Sequence, residues 1–366
     1  MKKVIFLALY PLGTAPSQRF RFEQYLPYLT EAGIKWHVEP FYDAAAWQLI
    51  YQKGRTLAKA LAVLRCVLRR LLFLPKVMGY DFVFVQRGAM PVGPPIVEWI
   101  CAKIFRKRLV FDFDDAVWMP DINIDSRGKW YKFYGKTGQI ARLAHRTAAG
   151  NDYLADYARR FSPRVQVIPT VVDTEKVFNR AKNHELTAQP NSQFPIPNSK
   201  ITLGWTGSHT TLLHLDIILP ALRTLEREFD FEFLVIANRP PEFELRSLRF
   251  QNWREETEVA DLLQIDIGFM PLADNDWTRG KCGFKAIQYM ALGIPALVSP
   301  VGVNPKIVDD GANGYVCGDT ETWVARAREL MLDLEKRRAF GAAARQKIVE
   351  NYSLASQREA FLKLFA

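Results

Sequence analysis

The chain has 366 residues, 49% of them hydrophobic and 24% charged, and no apolar run approaches the roughly 20 residues needed to cross a bilayer. That length predicts two domains, because a single core seldom grows beyond about 250–300 residues. The net charge of +10 calls for an anionic partner, and nucleic acid, an acidic membrane surface and a diphosphate ligand all qualify. Cys66, Cys101, Cys282 and Cys317 lie far apart with no Cys-x-x-Cys and no Cys/His cluster, so neither a metal centre nor a redox centre is expected.

Met1-Lys2-Lys3 followed by Val4–Tyr10 imitates a signal peptide, but the apolar stretch is short and runs through Pro11–Thr14 into Arg19 and Arg21. It reads instead as a buried first strand ending in a glycine turn, which predicts a cytoplasmic protein. Short apolar runs then alternate with amphipathic segments, the pattern of βα units around a parallel sheet. Strands are predicted at Val4–Leu9, Trp36–Glu39, Phe82–Gln86, Leu109–Phe113 and Val165–Ile168, with helices at Glu23–Ala32 and Pro95–Ile104. Gly13, Thr14 and Arg19 follow the first strand, where doubly wound sheets bind ligands. A surface helix start with solvated arginines (Arg19, Arg21) is the alternative.

Arg55–Lys76 interleaves Lys59, Arg65, Arg69 and Arg70 with leucines at helical spacing. It suits either a membrane-surface helix or a core helix with a solvated basic face. In Phe111–Trp118, strand alternation puts Phe111 and Phe113 on one face and Asp112 and Asp114 on the other. Those carboxylates suit a divalent cation, an acceptor hydroxyl, a helix cap or a solvated turn. The favoured reading gives Asp114 or Asp115 the catalytic task of orienting an acceptor. Trp130-Tyr131-Lys132-Phe133-Tyr134 forms an aromatic-basic loop suited to interfacial contact or acceptor stacking.

Asn179–Lys200 is rich in proline and polar residues and loses all periodicity, so it reads as a linker. The expected organisation is an N-terminal domain 1–175, a linker 176–200, a C-terminal domain 201–345 and a final helix 346–366 packing back on the first domain. From Ile201 the βα pattern restarts, with strands at Ile201–Trp205, Phe231–Ala237, Ile265–Pro271 and Ala296–Ser299 and helices at Leu213–Glu228, Phe284–Leu292 and Glu321–Leu332.

Two turns in this half suit an anion. Gly207, Ser208 and Thr210 follow the first strand, where they offer donors to phosphate or simply cap a helix. In Trp277–Asn304, Gly280 and Gly283 bracket Lys281 just before a helix, and Lys281, Lys285 and Gln288 share one side of its opening turns. A helix N-terminus carries unpaired N–H groups and partial positive charge, so with two lysines and a close-approach glycine it makes a diphosphate seat.

This segment resembles the donor-binding signature of the retaining, group-1 (family 4) glycosyltransferases. Gln288-Tyr289-Met290-Ala291-Leu292-Gly293-Ile294-Pro295 falls on its second half, while Val301–Asn304 and Asp309–Tyr315 match its downstream Gly and Asp-Gly-x-Asn-Gly elements. Gly280 and Gln288 stand where the family has its two glutamates, and Lys285 matches a lysine found in some subgroups. The resemblance implies an α/β GT-B fold, two Rossmann-like doubly wound domains facing across a cleft. It further implies a nucleotide-sugar donor as co-substrate, no other cofactor, and no metal. Gly207, Ser208, Thr210, Lys281, Gly283, Lys285 and Gln288 would bind the donor, with Arg279 and Lys281 standing in for the family's usual Arg and Lys. Gly13, Thr14 and Arg19 would lie on the acceptor side. A glycan or lipid-linked acceptor, handled at an anionic inner membrane face, would account for the basic helix and the net charge. Rival readings are a GT-B sugar-nucleotide epimerase and a catalytically weak donor-binding partner protein. No nucleic-acid-binding module is visible.

Overall fold

The computed structural model describes residues 1–52, 54–120, 133–183 and 200–366. They divide into two compact units, Met1–Thr170 with Gln357–Ala366, and Val171–Ser356. Trp130–Lys132 of the aromatic-basic loop and most of the linker lie outside the described residues.

The described part of the first unit holds a parallel sheet of β1 (Lys3–Ala8), β2 (Lys35–Pro40), β3 (Phe82–Gln86), β4 (Arg108–Phe113), β5 (Arg146–Ala149) and β6 (Val165–Val167). Their order is β2-β1-β3-β4-β5-β6. Strands β1, β3 and β4 are buried along almost their whole length, which is why their sequences read as unbroken apolar runs rather than alternation. The order reverses between β1 and β3, so the ligand crevice of such a sheet falls outside the carboxyl ends of these two strands. The last ten residues complete this unit: Phe361 stacks on Tyr25 at 4.1 Å, and Lys2 Nζ donates to the Phe365 carbonyl at 2.7 Å.

The helix Thr56–Phe73 turns an unexpected face outward. Leu57, Leu61, Leu64, Leu68 and Leu72 are exposed, whereas Cys66 and Arg70 are the residues it buries. Arg70 donates to the Ala8 carbonyl at 2.8 Å, and Arg65 and Arg69 are held by Asp43 at 2.6 and 3.2 Å. The helix is therefore not a core helix, because its leucines are exposed, as Arg65 also is.

The described part of the second unit holds β7 (Ile201–Gly207), β8 (Phe231–Ala237), β9 (Leu248–Asn252), β10 (Ile267–Met270), β11 (Ala296–Val298) and β12 (Gly314–Val316). They are parallel, in the order β12-β11-β10-β7-β8-β9. This is the doubly wound order, with the reversal between β7 and β10. Its core is aromatic at the centre, where Phe269 stacks on Trp323 at 5.5 Å. Both sheets and their covering helices thus have the expected α/β class. The helix expected over Leu213–Glu228 is split into a 3-10 segment, His209–Ile217, and an α-helix, Leu219–Glu228. Pro220 explains the break, since a residue with no N–H suits a first turn and not a helix interior.

Candidate functional site

The switch point of the second sheet brings together two turns that are far apart in sequence. Strand β7 ends at Gly207, where an added Cβ would come within 2.5 Å of the Trp205 ring. Trp205 itself is fully buried, so the position admits no side chain. The Ser208 and Thr210 hydroxyls bond each other at 2.8 Å, and the Ser208 side chain does not cap the segment behind it. Its capping role is thereby ruled out. The His209 N–H donates to Asn238 Oδ1 at 2.7 Å, tying this turn to the end of β8.

After β10, Asn275 and Thr278 cap each other in the short helix Asp276–Arg279. Arg279 binds Asp274 through two nitrogens at 2.7 and 3.1 Å and reaches Asp276 at 3.4 Å, so two carboxylates balance its charge. The chain then turns through Lys281 to Gly283, the N-cap of the helix Phe284–Ala291, at φ +68°. A Cβ at Gly283 would overlap Ile307 Cδ1 and stand 3.2 Å from Val303 Cγ1. The glycine is demanded by its left-handed backbone and by this packing, which sets where the helix starts. Tyr289 fixes the helix from beneath: its hydroxyl accepts from the Thr206 N–H at 2.9 Å and donates to the Phe269 carbonyl at 3.4 Å.

The helix start is thus held over the end of β7. Lys285 Nζ lies 5.3 Å from the centre of the Trp205 ring, and Lys281 Nζ lies 5.0 Å from that of Trp277. His214, in the 3-10 segment after β7, feels both lysines. Burial first, then Lys285 and Lys281, push its pKa down to about 4. One helical turn further, Gln288 is buried and donates to Glu258 Oε1 at 3.1 Å. Gly207, Ser208, Thr210, Lys281, Gly283, Lys285 and Gln288 therefore surround one switch point. Arg279 stands beside it, engaged with its own carboxylates. The Asp309–Asn313 turn is architectural, since Asn313 exchanges hydrogen bonds with Asp309 at 2.9 Å in each direction.

In the first unit, the turn after β1 is braced by acidic and amide groups. The Gly13 N–H donates to Glu23 Oε2 at 2.9 Å, and Thr14 Oγ1 donates to the Pro11 carbonyl at 2.7 Å. Arg19 lies over the Phe20 ring at 4.4 Å. Arg21, for which the sequence offered a cleft or a surface position, is buried, paired with Asp112 at 2.5 and 3.2 Å and bonded to the Ile168 carbonyl at 2.6 Å. Asp112 is thus a structural partner of Arg21, and burial raises its pKa against the pull of that guanidinium.

Asp114 and Asp115 follow β4, where Arg87 grips both at 2.6 Å. Burial opposes the charge of Arg87, and the two aspartates outweigh it and hold it firmly protonated. Arg87 adopts φ +59° directly after β3, a left-handed backbone unusual for a residue with a side chain. The side chain of Tyr10 adjoins this group, and burial raises its pKa.

Sequence reasoning missed Arg87, Glu258, Asn238 and His214. Arg87 carried a usable signal, since it follows an apolar run directly and precedes Gly88, at the end of a strand on the switch point. The others lay in segments whose periodicity gave no special weight to them.

Residues 242–347 match the family model described as glycosyl transferases group 1. N-acetyl-alpha-D-glucosaminyl L-malate synthase of Bacillus anthracis is 23% identical over 198 residues, 51% of this chain and 50% of that protein. The matches to two other curated relatives span only 22% and 24% of their length. Among solved structures, sucrose-phosphate synthase of Thermosynechococcus elongatus superposes with a TM-score of 0.70 at 13% identity, covering 100% of this chain and 98% of that one. The Anabaena protein HepE in complex with UDP-glucose gives 0.67 at 13% identity, covering 100% and 99%. The two units have the fold of the GT-B glycosyltransferases. In the second unit, the match to the group-1 model takes in Lys281, Gly283, Lys285 and Gln288 and leaves out the Gly207–Thr210 turn.

Proposed function

We propose that this chain is a glycosyltransferase that moves a sugar from a nucleotide-diphosphate sugar to a glycan or lipid-linked acceptor, with retention of configuration. The observation that supports the reading is that Lys285 lies over the Trp205 ring at the end of β7, beside the Ser208–Thr210 turn in sequence, and that Lys285 and Lys281 both act on His214 just after it. Complexes of UDP and UDP-glucose with a protein of this fold support it. The diphosphate would rest on the two lysines and the turn. The missing family glutamate at Gln288 is offset by Glu258, whose carboxylate stands 3.1 Å from the Gln288 amide and would share the ribose hydroxyls with it.

As the glycosidic bond breaks, negative charge grows on the leaving diphosphate. Preorganised lysines and N–H groups lower the energy of that charge, a contribution of about 3–4 kcal/mol for a single well-placed donor in other enzymes. These groups would let transfer proceed without a metal. On the acceptor side, Asp114 or Asp115 would orient the acceptor hydroxyl, with Arg87 fixing both carboxylates. Gly13, Thr14 and Arg19 would line the same side.

The exposed leucine stripe of Thr56–Phe73 supports an acceptor held at an anionic membrane surface, and with it a peripheral, cytoplasmic-face location in cell-surface polysaccharide synthesis. Among the described residues no helix is long and apolar enough to cross a membrane, so such contact would be lateral. Sedimentation with anionic liposomes is expected for the native chain and not for Leu61→Glu/Leu68→Glu. Equal pelleting of both would remove the membrane role. The reaction itself is tested by a thermal-shift screen of UDP-, GDP-, ADP- and dTDP-sugars. One donor at about 100-fold its Kd should add about 2.7 kcal/mol of stability, and a screen with no shift would remove the donor role.

A further inference from the structure

His214 is left unused by the reading above. It has 2% of its surface exposed, yet among the described residues neither Nδ1 nor Nε2 has a hydrogen-bond partner. A buried imidazole in that state has lost its water and gained nothing in return, an arrangement that folded proteins rarely keep without a reason. Its surroundings point to a ligand. Lys285 reaches it from the helix Phe284–Ala291 and Lys281 from the loop before that helix, and these are the cations that act on it. Trp277 Nε1, on the ring beneath Lys281, is also buried and has no hydrogen-bond partner among the described residues. Two unmade donors beside two ammonium groups are the chemistry that takes an anion.

Resting on the donor-site reading, we propose that His214 is a direct ligand of the donor diphosphate and takes up one proton from solvent as the donor seats. A neutral imidazole offers one donor and one acceptor, and its acceptor nitrogen is repelled by phosphoryl oxygen. The imidazolium offers two donors. With the site empty, burial and the two lysines disfavour that cation, so the ring is neutral at pH 7. A diphosphate brings two negative charges among the same groups and reverses the local field. Binding and protonation are then linked, and affinity must rise as pH falls, by up to tenfold per pH unit between the filled-site pKa and the empty-site value of about 4. The diphosphate of a nucleotide-sugar has no group titrating near neutrality, so the slope reports on the protein.

The test is isothermal titration of the nucleotide-sugar that scores in the donor screen, in two buffers of different ionisation heat, at pH 6.0, 7.0 and 8.0. The native chain should take up a measurable fraction of a proton, more at pH 7.0 than at 8.0. His214→Leu and His214→Gln should take up none and bind about tenfold more weakly at pH 6.0. Without ligand, His214→Leu should melt no lower than the native chain, because the orphan nitrogens are gone. A merely structural histidine would give the opposite, a lower melting temperature and unchanged binding. Proton uptake that persists in both variants, or is absent from the native chain, overturns the proposal while leaving the donor site standing. If Lys285→Ala also leaves binding unchanged, the donor site falls with it.

Discussion

Replacing Gly283 with alanine probes what places the cationic helix start. At φ +68° a residue with a Cβ costs about 1–2 kcal/mol. The new methyl would also overlap Ile307 Cδ1 and press on Val303 Cγ1 at 3.2 Å, and overpacking of this kind costs about 1–3 kcal/mol. The expected loss is the sum, about 2–5 kcal/mol. For a unit of this size a loss of about 3 kcal/mol lowers the melting temperature by roughly 6–12 °C. Ile307→Val removes the overlapping Cδ1 at about 0.5–1.5 kcal/mol on its own. The double variant should therefore lose about 1–2 kcal/mol less than the two singles added, leaving the backbone penalty in place. Urea denaturation followed by intrinsic fluorescence reads the loss, with Trp205, Trp253, Trp277 and Trp323 of the nine tryptophans reporting from this unit. Donor affinity should fall in Gly283→Ala and recover in part in the double variant. Strict additivity, or no loss in Gly283→Ala, would refute the argument that Ile307 and the backbone fix the helix start.

Arg21→Met should destabilise the first unit by about 3–5 kcal/mol, because it leaves Asp112 buried without its main counter-charge; an unchanged urea midpoint would show that the pair carries no such weight. Ligand-free stability should also depend on His214. Its pKa in the folded chain is about 4, below the usual 6.5, so the unfolded chain binds the proton more readily. Its contribution is complete above pH 6.5 and is lost as pH falls toward 4, by up to about 3 kcal/mol. The native chain should lose stability over that window more steeply than His214→Leu, and parallel curves from urea midpoints would contradict the shift.

Much of the fold was legible because buried parallel strands write themselves as apolar runs: Phe82–Gln86 and Phe231–Ala237 fall where the sequence placed them. Strands β5, β9 and β12 were not seen. β5 is Arg-Thr-Ala-Ala, with no large apolar residue, β9 is a half-exposed edge, and β12 is three residues long. In the second unit the glycine–lysine–helix segment was readable because its chemistry is local. Glu258 was not, because its meaning comes from a contact 30 residues away with Gln288. Arg21 shows the converse: a charge that looks solvated in sequence becomes buried once its partner, 91 residues on, is placed beside it. The leucine helix was ambiguous for a physical reason, since periodicity gives two faces and does not say which one meets the sheet.

The most direct measurement is titration of the donor found in the screen into the native chain and into Lys281→Ala/Lys285→Ala, with circular dichroism confirming that both are folded. Loss of two charge-assisted contacts should weaken binding by about 100-fold or more and abolish transfer. Equal affinity in the two proteins would contradict the claim that this helix start holds a diphosphate.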